Sequence, residues 1–151
     1  MLPSEPHSPR TPPLIGALLR VPSQAIHRRL IRDLNRAGFE DLKLPHMAVL
    51  QFPGPDGVRP TVLAERAGMS KQAMHQLLGT RETLGYVVRS PLAKEGGARI
   101  VHFTDRGHAA YAKIADILQD IEREWIAELG PKRFAQLKAL LGLAWRSPLA
   151  R

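Results

Sequence analysis

The stretch GMSKQAMHQLLGTRETLGYVVR, residues 68–89, contains a helical pattern with two unlike faces. Met74, Leu77 and Leu78 recur at the spacing of one apolar helix face. Ser70 is a suitable N-cap, and the helix is predicted to run to about Leu84 and to stop at Gly85. The opposite face is polar and free of acid; it carries Lys71, Gln72, His75 and Gln76. Alone, this face fits a solvated surface as well as a surface that contacts a partner.

The flanking segments decide between these interpretations. Upstream, VLAERAG (62–68) predicts a short helix with Thr61 as its cap and Gly68 as its stop. Downstream, YVVR (86–89) and RIVHF (99–103) are short β-branched runs, and the Pro- and Gly-rich SPLAKEGGA between them predicts a hairpin. Two short helices joined by a tight turn and followed by a hairpin form a helix-turn-helix with a wing.

Longer helical patterns flank this unit. One runs from Leu14 to about Ala37, with Pro22–Ser23 either starting it or kinking it, and a shorter one runs from Leu44 to Phe52, closed by PGPDG (53–57). Thr104 opens a long helix that reaches Leu129, and a last helix follows Gly130–Pro131. Residues 1–13 hold five prolines and predict a disordered arm. The predicted fold is mainly α with a small two-stranded β-wing, a single winged-helix domain over residues 14–151.

The charge balance favours a polyanionic partner. The chain of 151 residues has 22 Lys and Arg against 14 Asp and Glu, a net charge of +8 and a pI of about 10.6. The excess includes the centre of the chain, since residues 59–104 hold seven basic residues and three acidic ones, a difference of +4.

Composition also excludes several classes of site. The absence of cysteine excludes disulfides, thiolate zinc sites, iron–sulfur clusters and cysteine nucleophiles. The six histidines lack the i, i+4 spacing of helical metal ligands, and no acid–base or nucleophile arrangement indicates an enzyme, so we expect neither metal nor cofactor. No apolar run is long enough to span a bilayer and no secretory signal is evident, so a cytoplasmic location and no membrane partner are expected.

The polar face suits double-stranded DNA. The second helix of such a unit presents its N-terminal residues to base edges in the major groove. Gln72 and Gln76 offer the paired donor and acceptor that adenine requires, while Lys71 and His75 can donate to guanine or phosphate. Ser70 at the helix N-terminus can hold a phosphate, and Lys94 and Arg99 on the wing can reach a neighbouring phosphate or the minor groove.

The run from Leu44 to Gly107 resembles the MarR family of winged helix-turn-helix transcriptional regulators. The resemblance rests on TVLAERAGMSKQAMHQLL, on LGYVVR before the wing and on RIVHFTDRG after it. Two features depart from the family pattern. The usual Asp-x-Arg of the wing is replaced by Glu95 and Gly97, and Arg81 stands where a leucine is usual.

The resemblance implies a ligand-responsive repressor that acts as a homodimer on a near-palindromic operator. Residues 44–107 would form the DNA-binding lobe, with Thr61 among the DNA contacts, and residues 14–37 and 105–148 would supply the dimerisation helices. The expected interface residues are Ile26, Leu30, Trp125, Leu137 and Leu141. The resemblance also implies a small aromatic or phenolic effector between these helices and the lobe. Non-specific or architectural DNA binding and a protein- or RNA-binding module remain as alternatives.

Overall fold

The computed structural model describes residues 13–50, 57–91 and 99–148, with six α-helices and one two-stranded sheet in these ranges. The helices are α1 (Ile15–Arg36), α2 (Met47–Leu50), α3 (Pro60–Ala67), α4 (Lys71–Thr83), α5 (Asp105–Leu129) and α6 (Pro131–Arg146). The strands are β1 (Val87–Pro91) and β2 (Arg99–Phe103). The predicted arm covers residues 1–13, of which 1–12 lie outside the described residues.

The caps predicted for α4 and α5 are confirmed. Ser70 Oγ accepts a hydrogen bond from the Ala73 amide at 3.1 Å, and Thr104 Oγ1 accepts one from the Gly107 amide at 3.1 Å. Each side chain thereby satisfies an amide that has no partner within its own helix. Gly85, with φ of +80°, follows the end of α4 as predicted.

The first helix has the predicted extent, and it decides between the two alternatives at Pro22–Ser23. It is continuous from Ile15, so Pro22 lies inside the helix and does not start it. The segment predicted as one helix from Leu44 to Phe52 begins as a 3₁₀ turn, Leu44–His46, and is α-helical only from Met47 to Leu50. Residues 51–56, which include Phe52 and most of PGPDG, lie outside the described residues.

A third backbone segment, which the sequence did not predict, bonds to the wing. In the antiparallel sheet, Val87 pairs with Phe103 and Arg89 with Val101. Val58 exchanges two hydrogen bonds with Val101 at 2.8 and 3.0 Å on the other edge of β2. The segment that leads into α3 is therefore attached directly to the wing.

One apolar core joins the lobe to the long helices. Leu30 and Leu34 of α1 pack with Ile114, Ile117 and Ile121 of α5 in the same cluster. Within the lobe, the buried side chains include Met47, Leu63, Met74, Leu78, Tyr86 and Val87. Arg29 of α1 also donates to both carboxylate oxygens of Glu124 on α5 at 2.5 and 2.8 Å. The orientation of the lobe relative to α1 and α5 is thus set by a shared core.

Candidate nucleic-acid interface

The α3–α4 turn positions the helix that carries the candidate contacts. Gly68 adopts the left-handed conformation, with φ of +64° and ψ of +33°, as its role as a C-cap requires. The Met69 amide then bonds to the Ala64 carbonyl at 2.9 Å, and Ser70 starts α4 directly afterwards. This short connection holds α4 at a fixed angle to α3 and leaves the α4 N-terminus at the surface.

Helix α4 has the two faces that its sequence pattern predicts. Met74 and Leu78 are fully buried and Leu77 is partly buried against the core. The opposite face is exposed along its N-terminal half; it includes Ser70, Lys71, Gln72, His75 and Gln76. With no acidic residue in the first turn, the surface combines one lysine, amide donors and acceptors, and the positive end of the helix dipole. Such a surface suits an anionic partner with hydrogen-bonding edges.

The structure corrects the predicted cap of α3. This helix begins at Pro60 with Arg59 as its N-cap, so Thr61 is its second residue and does not cap it. Proline is favoured at the first helical position because the amide that it lacks would have no partner there. Thr61 is nevertheless exposed and remains a candidate contact.

The wing candidates lie largely outside the described residues. This holds for Lys94, Glu95 and Gly97, and for Arg99 only the backbone is described. The same is true of Arg81 on α4, the other departure from the family pattern. The assignment of Lys94 and Arg99 to DNA contact therefore stays a prediction.

Arg89 links the first wing strand to α4. It forms an ion pair with Glu82 near the end of α4, and its Nη1 lies 3.4 Å from Nδ1 of His75 on the exposed face. The Arg89 side chain is only 19% exposed. The sequence pattern does not predict this contact, because Arg89 is in a strand segment fourteen positions after His75.

A second polar cluster fixes the junction of α4, β1 and α5. Arg106 donates to the Leu84 carbonyl at 2.5 Å and to Asp41 Oδ2 at 2.9 Å, and its guanidinium lies 4.4 Å from the centre of the Tyr86 ring. The Tyr86 hydroxyl donates to Asp41 Oδ1 at 2.5 Å. Burial alone raises the pKa of the Asp41 carboxyl, but the Tyr86 hydroxyl and the Arg106 charge outweigh it and lower that pKa. Asp41 therefore contributes stability that is present above its unfolded-state pKa and is lost as pH falls through the lowered one.

An open groove runs along α1 and reaches Leu44. Its volume is about 720 Å³, and its lining consists of Gln24, His27, Arg28, Ile31, Arg32, Asn35 and Leu44. In the described part of the chain, no hydrogen-bond partner reaches the buried Oδ1 of Asn35. The sequence predicts only a basic helix in this region. The groove itself could not be predicted, because it depends on how α1 packs against the rest of the chain.

The expected interface residues differ in how much surface they offer. Leu141 is 41% exposed, and Ile26, Trp125 and Leu137 are partly buried. Leu30 is fully buried in the core of its own chain and offers no side-chain surface to a partner. The most exposed large apolar side chains lie at the start of α1 and the end of α6; they are Leu14, Ile15, Leu18, Val21, Leu140, Leu143 and Trp145.

Within residues 13–50, 57–91 and 99–148, none of the helices is long and apolar enough to cross a membrane. The same ranges contain no group of three or more His, Asp or Glu side chains placed to hold a metal ion.

Comparison with known proteins gives matches at the level of structure. No family model and no curated protein sequence matches the chain. Among solved structures, the MarR family protein Rv2887 of Mycobacterium tuberculosis, in complex with salicylic acid, is 23% identical with a TM-score of 0.62, over 88% of this chain and 97% of that one. The complex of S. aureus MepR with DNA is 17% identical with a TM-score of 0.73, over 87% and 96%. NadR in complex with 4-hydroxyphenylacetate is 17% identical with a TM-score of 0.70, over 94% and 99%.

These similarities extend over nearly the full length of each solved chain, so they include the long helices as well as the lobe. The protein has the winged helix-turn-helix fold of MarR-family structures, as the sequence predicts.

Proposed function

We propose that the chain is a MarR-family transcriptional regulator that binds DNA in a sequence-specific manner, and that it is not an enzyme. The observation that carries the proposal is the exposed, acid-free N-terminal half of α4, held by a winged helix-turn-helix. Gln72 and Gln76 would read bases, and Lys71, Ser70 and Thr61 would position the helix on the backbone. The net charge of +8 supports association with a polyanion.

Selection of bound duplexes from a random DNA pool tests this function. We expect enrichment of a near-palindromic motif with half-sites about 10 base pairs apart, because two symmetry-related recognition helices would enter successive major grooves. An absence of enrichment would contradict sequence-specific regulation and favour the architectural or the protein- and RNA-binding alternative.

The proposed assembly is a homodimer formed through the terminal helices. Leu140 and Leu143 on α6 are 65% and 61% exposed, and Leu14 and Ile15 at the start of α1 are 81% and 68% exposed. Monomeric proteins rarely leave so many large apolar side chains uncovered in consecutive turns. A two-fold dimer would bury these side chains in both copies and would place two copies of α4 against one duplex.

Replacing Leu140 by Glu is expected to weaken dimerisation by about 100-fold or more, since each copy would lose an apolar contact and bury a carboxylate. Sedimentation velocity across the micromolar range measures this effect. The control is Ala135→Glu, which places the same charge at an exposed position on another side of α6. A wild-type chain that sediments as a monomer, or equal effects of the two variants, would contradict this interface.

The proposed effector is a small aromatic carboxylate or phenol bound in the α1 groove. Arg28 and Arg32 could pair with a carboxylate, Ile31 and Leu44 could contact a ring, and the unpartnered Asn35 Oδ1 could accept a hydrogen bond from a phenol. Salicylic acid and 4-hydroxyphenylacetate, named with two of the similar structures, have this chemistry.

Salicylate is expected to reduce operator affinity of the wild type and to lose this effect when Arg28 and Arg32 are both changed to Gln. DNA-binding titrations at several salicylate concentrations measure the response. Arg20→Gln, on the same helix but outside the groove lining, is the control for loss of a positive charge on α1. The proposal fails if millimolar salicylate leaves DNA binding of the wild type unchanged.

A further inference from the structure

The contact between Arg89 and His75 restricts how the histidine can form hydrogen bonds. A guanidinium has only donors, so the 3.4 Å contact between Arg89 Nη1 and His75 Nδ1 requires Nδ1 to be the acceptor. In a neutral imidazole the hydrogen must then be on Nε2. At 3.4 Å the contact is longer than the usual hydrogen bond of about 2.7–3.2 Å, so it restrains the ring without immobilising it.

Glu82 keeps the guanidinium at this position. Glu82 and His75 are seven residues apart on α4, which places them two turns apart on one side of the helix. Arg89 reaches both from β1, and its ion pair with Glu82 is partly shielded, with side-chain exposures of 19% and 34%. The pair thereby fixes which end of the Arg89 side chain faces His75.

We propose that Arg89 is a positioning residue for base recognition, which makes His75 present an Nε2–H donor from the exposed face of α4. This inference rests on the proposed DNA-binding function. A donor at this point pairs with acceptors in the major groove, namely guanine O6 and N7, adenine N7 and thymine O4. Cytosine offers an amino donor there instead, so cytosine is disfavoured at the base opposite His75.

Exchanging the two charges tests the assignment. In the double variant Glu82→Arg/Arg89→Glu the ion pair and the net charge are kept, but a carboxylate faces His75. A carboxylate only accepts, so Nδ1 then carries the hydrogen and Nε2 of the neutral ring becomes an acceptor. Arg89→Met serves as a second variant in case the exchanged pair does not fold, and Glu82→Gln is the control that keeps Arg89.

The first readout uses the free protein. Nitrogen-15 NMR of labelled histidine, at about pH 8.5 where imidazoles are generally neutral, reports which ring nitrogen carries the hydrogen. We expect Nε2–H for His75 in the wild type and in Glu82→Gln, and Nδ1–H in the exchanged variant. The inference is overturned if the wild type shows Nδ1–H, or if the exchanged variant folds and keeps the wild-type form.

The second readout is the base preference at the operator position whose selectivity is lost in His75→Ala, measured at the same pH. We expect the wild type to favour guanine over cytosine there by about 3- to 10-fold, the contribution of one hydrogen bond. The preference should vanish or reverse in the exchanged variant and should shrink in Arg89→Met. An unchanged preference in both overturns the inference. Failure of the wild type to select any DNA overturns the proposed function instead, and the NMR result on the free protein separates the two failures.

Discussion

Replacing Gln72 and Gln76 together by Ala is expected to weaken binding to the selected operator by at least about 100-fold, with little change in binding to unrelated DNA. Each glutamine can form a bidentate pair with adenine that contributes about 1–3 kcal/mol of discrimination, and a dimer would lose each pair twice. Both side chains are exposed near the start of α4 and carry no charge, so the phosphate attraction is unaffected. Fluorescence anisotropy with operator and scrambled duplexes at one salt concentration measures both affinities.

Lys71→Ala is the matched control for the glutamine pair, since Lys71 is exposed at the first position of the same helix. Loss of the lysine should lower the affinity for both duplexes. It should also reduce the slope of log affinity against log salt concentration by about one for each copy, the value of one phosphate contact. If the glutamine variant instead lowered both affinities in parallel, Gln72 and Gln76 would not be reading bases.

Replacing Gly107 by Ala is expected to lower the free energy of unfolding by about 3 kcal/mol or more. A Cβ at Gly107 would lie 2.0 Å from the Tyr86 carbonyl oxygen and 3.2 Å from Cβ of Phe103. Both are held in place, since the Thr104 amide bonds to the Tyr86 carbonyl at 3.2 Å and Phe103 pairs with Val87 in the sheet. The start of α5 would have to separate from β1, which is the cost of overpacking a buried site. Urea unfolding followed by circular dichroism measures the loss.

Gly79→Ala provides the comparison for Gly107→Ala. A Cβ there meets no atom within 4 Å, and the backbone is already helical. An alanine in place of a mid-helix glycine stabilises by about 0.5–1 kcal/mol, so the two variants should change stability in opposite directions. Equal stability of Gly107→Ala and the wild type would mean that the α5–β1 junction is looser than the structure indicates.

The parts of the fold that local chemistry determines were predictable from the sequence. Ser70 and Thr104 each accept a hydrogen bond from an amide three residues further along the chain. Gly68, Gly85 and Gly130 each end a helix with a positive φ. The apolar pattern of α4 also separated its buried face from its exposed face correctly. In each case the interacting groups are close in sequence, so residue type and spacing are sufficient.

The remaining features depend on pairs of residues that are distant in sequence. The Val58–Val101 bridge involves a single residue with no strand pattern around it, and Asp41 meets Arg106 across 65 positions. Periodicity also does not show whether an apolar face packs within its own chain or against a partner. This is why Leu30 was predicted at an interface although it is buried in the core of its own chain, while the exposed apolar side chains of Leu140 and Leu143 were not singled out.

The attachment of Arg106 to the Leu84 carbonyl at the end of α4 has a mechanical consequence. Helix α5 has 25 residues and is about 37 Å long, and its first turn is fixed to the lobe while its last turn leads into α6. If the helix stays rigid, a rotation of about 5° at its far end would displace the lobe by about 3 Å. In the proposed dimer the same displacement would occur at both half-sites of the operator. A small change in packing along α1 would then be enough to move the two recognition helices out of alignment with the major grooves.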